Sequence, residues 1–157
     1  MTLEIVSTRT RADLVAVTAR WRWAEFYQDD GTPWETVLAG AQDTAASREP
    51  MPQTLVLLAD GEPVGTASLT AHDLDERPDL SPWLAGVFVV PEARGRGYAG
   101  MLVAGVEALA AFWAIPTLWL YTRRAERVYA RAGWTTAERF QLKGKDYALM
   151  RRDLSYD

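Results

Sequence analysis

A glycine-rich turn between an apolar strand and an apolar helix limits what this chain can fold into more than any other feature. Residues 87–103 read VFVVPEARGRGYAGMLV, which begins with apolar, β-branched residues and becomes apolar again after the turn. Residues 95–100 read GRGYAG and match the pattern G-x-G-x-x-G. Such a turn is a dinucleotide fingerprint, another phosphate-binding cradle, or a turn that binds no ligand.

The dinucleotide interpretation fits this position poorly. That fingerprint belongs to the first strand–helix–strand unit of a doubly wound sheet, with the strand running directly into the first glycine. Here too little chain follows residue 100 for the rest of such a sheet. An acidic ribose ligand is expected about 20 residues further on, where residues 120–122 are Leu, Tyr and Thr. Arg123 and Arg124 would suit a 2′-phosphate, so an NADP-binding protein stays a remote alternative.

A phosphate cradle remains the stronger interpretation. Glycines allow successive backbone N–H groups to converge, and the N-terminus of the following helix adds unpaired donors and a positive dipole end. A glycine turn with no ligand is the alternative on this stretch alone.

Composition excludes several classes of protein. A net charge of -4 and a pI near 5.1 argue against nucleic-acid binding, which needs a basic face. The chain has no cysteine and one histidine, so we expect no metal site, no disulfide and no thiolate nucleophile. The start lacks a signal-peptide pattern, and no apolar run approaches the ~20 residues that cross a bilayer. We expect one cytoplasmic domain, residues 1–157, away from the membrane.

Hydrophobic periodicity predicts alternating strands and helices. The predicted strands are residues 5–6, 54–59, 64–69, 83–90, 117–121, 134–142 and 147–153. The predicted helices are residues 10–27, a helix that begins at Thr32, residues 98–113, and a short helix from Arg123 that ends at Gly133. For the second helix we predict a capping box, with Thr32 as N-cap, Pro33 at the first helical position and Glu35 three residues after the cap.

Two motifs resemble the GCN5-related N-acetyltransferase (GNAT) family. Residues 94–99 fit the pattern [R/Q]-x-x-G-x-[G/A], and about 30 residues later Ala125, Tyr129, Gly133 and Trp134 hold the places of a second family signature. The predicted order of elements also matches that family. The resemblance implies an α/β (α+β) fold: a mixed, mostly antiparallel sheet with a central parallel, splayed strand pair and helices on both faces.

The resemblance implies that acetyl-CoA is the cosubstrate. Backbone amides of the cradle would bind its pyrophosphate, and a bulged strand before the cradle would pair with its pantetheine arm. The implied positions are Val87, Phe88 and Val89 in the strand and Arg94, Gly95, Arg96, Gly97, Tyr98, Ala99 and Gly100 in the cradle. Tyr129 matches the family's usual general acid, and a phenol with a pKa near 10 can protonate a departing thiolate at neutral pH.

The general base does not follow from the motifs. Tyr121 stands where some members carry a glutamate, and Thr122 stands where many carry an asparagine that contacts the cofactor. The leading candidates are His72 and Asp73, which follow the third predicted strand. Asp75, Glu76 and Glu25 are the others, and a water relay would make a protein base unnecessary.

The acceptor is defined least by the sequence. Trp21, Trp23, Tyr27 and Trp34 could line an acceptor pocket or belong to the core. Asp73, Asp75, Glu76 and Asp79 could form an acidic rim for a cationic amine or a solvated loop. We expect direct transfer to a small-molecule primary amine, with a protein N-terminus as an alternative acceptor. An acyl-CoA-binding module with little turnover is the alternative function, and both the acyl length and the choice between monomer and homodimer stay open.

Overall fold

The computed structural model describes residues 1–154, so the last three residues of the predicted single domain lie outside the described part. The strands are β1 (Leu3–Ser7), β2 (Gln53–Ala59), β3 (Glu62–Thr70), β4 (Trp83–Val89), β5 (Thr117–Thr122), β6 (Thr135–Leu142) and β7 (Lys145–Asp153). The α-helices are α1 (Val15–Arg22), α2 (Trp34–Ala46), α3 (Tyr98–Phe112) and α4 (Glu126–Arg131).

The seven strands form one sheet in the order β1-β2-β3-β4-β5-β7-β6. Neighbouring strands are antiparallel except β4 and β5, which are parallel and joined through α3. The predicted fold class, a mostly antiparallel mixed sheet with one central parallel pair and helices on both faces, is therefore confirmed.

The two predicted hairpins form around short turns. Asp60 and Gly61 have φ values of 50° and 82° between β2 and β3, and Lys143 and Gly144 have φ values of 52° and 76° between β6 and β7. Positive φ at both central residues is the type I′ geometry that matches the twist of paired strands.

The N-terminal helices differ from the prediction. Residues 10–27 are not one α-helix, because a 3₁₀ turn precedes α1 and Trp23–Tyr27 follows it as a π-helical turn. The predicted capping box does not form: Pro33 is extended (φ -64°, ψ 144°) and is itself the N-cap, with no side-chain capping bond. The proline carbonyl accepts the first helical hydrogen bonds, from Thr36 and Val37, so the N-cap is Pro33 instead of Thr32 and the first helical residue is Trp34.

The core lies on both faces of the sheet. On one face, which we call the α3–α4 face, Leu102 and Val106 of α3 are fully buried against Leu57, Leu69 and Leu118. Because strand side chains alternate, Val56 and Leu58 point to the opposite α1–α2 face and meet Leu14. Within residues 1–154, no helix has the length and apolarity needed to cross a membrane.

Candidate active site

The parallel strands β4 and β5 are paired at one position. Trp83 is opposite Trp119, and the Trp119 N–H donates to the carbonyl oxygen of Pro82 at 3.1 Å. No further pairing joins the two strands within the described residues, so they separate toward their carboxyl ends. A gap therefore opens in the middle of the sheet beside Ala85–Val89.

A β-bulge in β4 helps to open this gap. Phe88 is paired with Thr66, and Ala85 is paired with Ser68. Two residues, Gly86 and Val87, thus lie opposite the single residue Ala67, and such an insertion bends the strand. Gly86 has a φ of 63°, a value at which a side chain is strained. The predicted segment of residues 87–89 begins directly after this glycine.

Backbone groups of Val89 point into the gap. The Val90 N–H donates to Val64 O at 2.9 Å, and because successive strand residues direct their backbone groups to opposite sides, those of Val89 face β5. Arg94 donates from Nε to Val89 O at 2.9 Å, and its guanidinium lies 5.6 Å from the Phe88 ring. The Arg94 side chain is therefore held against the end of β4.

The cradle at residues 95–100 has the local geometry of an anion site. Gly95 and Gly97 have φ values of 80° and 83°, and a Cβ at either would meet no atom within 4 Å. The first helical bond at this end runs from Met101 N–H to Gly97 O (3.2 Å), so the preceding N–H groups have no carbonyl of the helix to bind. The surface above these glycines is clear and lined by donors, which fits a pyrophosphate.

Side chains of the cradle divide into two groups. Tyr98 is buried and its hydroxyl contacts the Met1 sulfur at 3.2 Å, so only its backbone is available to a ligand. Arg96 is exposed, Ala99 is half-buried and Gly100 has open space where a Cβ would lie.

Tyr129 lies on the α3–α4 face. It belongs to α4 and packs against the core on that face, with its ring 6.1 Å from the Trp134 ring in an edge-on arrangement. Burial raises the pKa of the Tyr129 phenol. The hydroxyl therefore stays protonated throughout the neutral range, as a proton donor must.

Asp73 lies on the α1–α2 face with a cluster of aromatic rings. Its neighbour Leu74 packs against Trp83, whose ring is 6.1 Å from Tyr121, and Tyr121 is 5.7 Å from Tyr147. Burial, and next the charge of Asp75, raise the pKa of Asp73 to about 6. Burial, and next the Asp73 carboxylate, raise the pKa of Tyr121 and of Tyr27. Asp73, Tyr27 and Tyr121 thus form one electrostatic cluster.

The other candidate bases are placed differently. His72, Asp75, Glu76 and Glu25 are exposed. Asp79 forms an ion pair with Arg77, which also contacts Glu138, so one member of the predicted acidic rim is already neutralised. Within residues 1–154, no three His, Asp or Glu side chains come together as a metal site.

The four N-terminal aromatic residues do not form one pocket. Trp23 and Trp34 lie 6.1 Å apart, and the Arg20 guanidinium is within 4.6 and 4.8 Å of their rings. Trp21 instead contacts Phe88 of β4 at 5.7 Å. Among these four, Tyr27 is the member coupled to Asp73, and its position follows from the π-helical turn that ends at this residue.

A pocket of about 320 Å³ opens at the carboxyl end of β5, next to the cluster of Asp73, Tyr27 and Tyr121. It is lined by Thr122, Arg123, Glu126, Arg139, Phe140, Gln141, Asp146, Tyr147 and Ala148. Glu126 is bound there by Arg139 at 2.7 Å. The Tyr147 ring belongs both to this pocket and to the contact with Tyr121, so the two sites share a wall.

The sequence alone does not single out Arg22. Its side chain is half-buried, its buried Nη1 has no hydrogen-bond partner within residues 1–154, and its Cδ is 3.1 Å from the position that a Cβ on Gly86 would take. An arginine inside an amphipathic helix gives no signal of this kind until the bulge is placed beside it.

A mixed sheet whose central parallel strands separate beside a glycine-rich helix N-terminus is the architecture of an acetyl-CoA-dependent acyltransferase. The chain belongs to the acetyltransferase (GNAT) family, whose model matches residues 16–134. The family uses acetyl-CoA as its cosubstrate, which confirms the predicted family and cosubstrate. No curated protein matches this chain in sequence.

Solved structures share the fold at low sequence identity. One is yncA from Salmonella typhimurium with its cofactor acetyl-CoA: 16% identity, TM-score 0.71, covering 100% of this chain and 95% of that one. The ribosomal-protein-S18-alanine N-acetyltransferase from Escherichia coli is 19% identical, with TM-score 0.67 and coverage of 99% and 96%. A chimera of the spermidine N-acetyltransferase SpeG from Vibrio cholerae is 14% identical, with TM-score 0.72 and coverage of 98% and 96%.

We predict that Asp73→Asn stabilises the protein at pH 8 but has little effect near pH 4. The raised pKa means that the folded state disfavours the charged carboxylate, so its stability is highest at low pH and falls as the pH rises through about 6. Removing the charge should add on the order of 2 kcal/mol at pH 8 after solvent screening. Thermal melts at both pH values measure this.

The matched control is Asp43→Asn, a change of an exposed carboxylate on α2. It should not alter the difference between the two melts. An equal gain for Asp73→Asn at both pH values would contradict the raised pKa.

Proposed function

We propose that this protein transfers an acetyl group from acetyl-CoA to a primary amine by direct attack of the amine on the thioester. The observation that carries the proposal is the gap between β4 and β5, which opens beside the glycine-rich N-terminus of α3. Tyr129 and Asp73, on opposite faces of the sheet, are the proposed catalytic groups. A single N-acetyltransferase domain over residues 1–157 is part of the same proposal.

The cradle and the gap would hold the donor. Backbone N–H groups at the N-terminus of α3 bind the pyrophosphate, and the positive φ values of Gly95 and Gly97 allow the backbone to approach it closely. The pantetheine arm pairs with the backbone of Val87 and Val89 in place of the missing strand contact. These assignments are supported by the open space above the glycines and by the direction of the Val89 backbone groups.

Tyr129 would serve as the general acid. The amine nitrogen forms a bond to the thioester carbon, the tetrahedral intermediate collapses, and the bond between carbon and sulfur breaks. The departing thiolate takes the phenolic proton of Tyr129, whose raised pKa keeps that proton in place until the transition state. With no cysteine in the chain, an acyl-cysteine intermediate is impossible, which supports direct attack.

Asp73 would serve as the base, in preference to His72. A catalytic base works best when its pKa is close to the operating pH, and burial brings the Asp73 carboxyl to about 6. His72 is exposed, and its backbone oxygen accepts a bond from the Thr70 hydroxyl at 3.3 Å. Asp73 and Tyr129 approach from opposite faces of the sheet, so one can take a proton from the amine while the other gives a proton to sulfur.

The acceptor would be a small-molecule amine. Membership of the family does not identify the acceptor, because the structural neighbours include enzymes named for a ribosomal protein and for spermidine. The aromatic side chains around Asp73 favour a compact acceptor, since the Asp73 carboxylate raises the pKa of both Tyr27 and Tyr121. The alternative is a module that binds acyl-CoA without turnover. Such a module would bind acetyl-CoA and release no thiol with any amine.

We predict that acetyl-CoA stabilises the protein through the cradle. At 100 times its Kd the ligand should add about 2.7 kcal/mol, which corresponds to a rise of about 5–10 °C in Tm. Gly97→Val would place a branched side chain on the phosphate-binding surface and should abolish this rise.

Gly61→Val is the matched control, because Gly61 has nearly the same φ (82° against 83°) and equally open surroundings but lies in the distant β2–β3 turn. Both variants should lose stability from backbone strain, and only Gly97→Val should lose the response to acetyl-CoA. A normal response in folded Gly97→Val contradicts the cradle.

We predict that Tyr129→Phe lowers the rate of thiol release from acetyl-CoA in the presence of an amine by about 10²–10⁴-fold. The ring and its contact with Trp134 are retained, so acetyl-CoA binding and Tm should change little. The loss should appear in kcat with KM nearly constant, as for an interaction made in the transition state. A loss below about threefold, where chemistry limits the rate, would leave Tyr129 as a packing residue.

We predict that kcat falls on the acid side with a midpoint near pH 6, as Asp73 becomes protonated. Activity is present above this pKa and is lost as the pH falls through it. Asp73→Asn should remove that limb along with most of the activity, whereas His72→Gln should keep it. If the midpoint instead follows the pKa of the acceptor amine across a series of amines, the limb belongs to the acceptor and Asp73 is not the base.

A further inference from the structure

Arg22 is a half-buried cation with one buried guanidinium nitrogen that lacks a partner within residues 1–154. It is the last residue of α1, and its aliphatic stem packs on the bulge at Gly86. Its Nη1 is buried without a hydrogen-bond partner, and within residues 1–154 no carboxylate forms an ion pair with it. Burial lowers the pKa of Arg22, while the Tyr27 phenol acts in the opposite direction. A guanidinium nevertheless keeps its charge in proteins.

A buried nitrogen without a partner destabilises the folded protein unless a group from outside the chain accepts its hydrogen bond. Leaving a buried donor without a hydrogen bond destabilises a protein, and buried donors in folded proteins nearly always have partners. Arg20, two residues earlier, shows the contrast: its guanidinium is exposed to solvent on one side and rests on the rings of Trp23 and Trp34. Within residues 1–154 neither guanidinium has a carboxylate partner, but Arg20 is solvated whereas Nη1 of Arg22 is buried.

The position of Arg22 relates it to the proposed acceptor site. The Asp73 carboxylate raises the pKa of Tyr27 and the Arg22 guanidinium lowers it, so both charges lie within electrostatic reach of this phenol. Phe88, next to the bulge, contacts Trp21 on the same face. A ligand that presents its amine to Asp73 and an anionic group to Arg22 would complement these two charges.

We infer that the acceptor is a small amino acid, whose amine is acetylated beside Asp73 and whose carboxylate is bound by Arg22. This inference rests on the proposed function and names the substrate class for that site. A planar guanidinium matches a carboxylate with two parallel hydrogen bonds. Arg22 is thus a specificity residue: it orients the acceptor, and it takes no part in proton transfer.

The test compares each amino acid with its own amide. A panel of L-amino acids and the corresponding amino acid amides is assayed by thiol release, and kcat/KM is determined for both members of each pair. For the preferred side chain, we expect the acid to exceed the amide by about tenfold or more, as for a hydrogen bond to a charged group. In Arg22→Met this ratio should fall to within about threefold of one, through a higher KM for the acid.

Two further variants serve as controls. Arg20→Met removes a guanidinium from the same helix and should keep the ratio at its original value. Arg22→Lys retains a charge without the planar fork and should give an intermediate ratio, and it replaces Arg22→Met if that variant does not fold. The KM for acetyl-CoA should be the same in all of them.

The outcomes separate this inference from the proposed function. If amides are acetylated as well as acids, the inference is overturned while N-acetyltransfer stands. A higher KM for acetyl-CoA in Arg22→Met would assign the guanidinium to the donor and would also overturn it. If no amine releases thiol, the proposed function fails, and thermal melts test the inference instead. Melts with CoA and each amino acid should then show stabilisation of the original protein and none of Arg22→Met. Absence of that stabilisation in the original protein refutes the inference.

Discussion

The site depends on the fact that β4 and β5 are attached to each other at one end. The attachment is Trp83, which is completely buried and paired with Trp119. Its indole Nε1 also donates to Leu80 O at 2.9 Å, and so fixes the loop that carries Asp73. The backbone of this residue therefore marks the closed end of the gap, and its side chain is bound to the loop that supplies the proposed base. The bulge at Gly86 then bends β4 away from β5.

Because the gap divides the sheet, chemistry can be supplied from two independent sides. The α3–α4 face contributes Tyr129, kept protonated by burial. The α1–α2 face contributes Asp73, whose burial brings its pKa to about 6. The same physical cause thus acts on both groups, but it leaves a donor on one face and an acceptor on the other. With a net charge of -4 overall, the anion binding proposed for the cradle and for Arg22 depends on local placement rather than on total charge.

Most of the fold could be predicted from sequence, since the signals were local. The alternation of apolar residues and the Asp60–Gly61 dipeptide predicted the β2–β3 hairpin, and the glycines before Tyr98 predicted the start of α3. The capping box at Thr32 failed because the extended Pro33 itself caps α2. The π-helical turn at Trp23–Tyr27 could not be predicted, since its residues are typical of an ordinary helix.

For the site, the motif positions 87–89, 94–100 and 129 remain predictions, and the structure adds a geometry in which they can act together. The choice between His72 and Asp73 was not available from sequence, because adjacent residues differ in burial only when the loop is packed. Arg22 illustrates the same limit more strongly. Its importance arises from contact with Gly86, 64 positions later in the chain, and no local pattern reports such a contact.

The open side of β4 is also an internal strand edge, with backbone donors and acceptors that have no partner strand. Edges of this kind tend to pair with strands of other molecules and to promote aggregation. Here the bulge at Gly86 breaks the regular spacing that an incoming strand would need, and Arg94 occupies the carbonyl of Val89. The distortion that opens the gap therefore also protects this edge from pairing with a strand of another molecule.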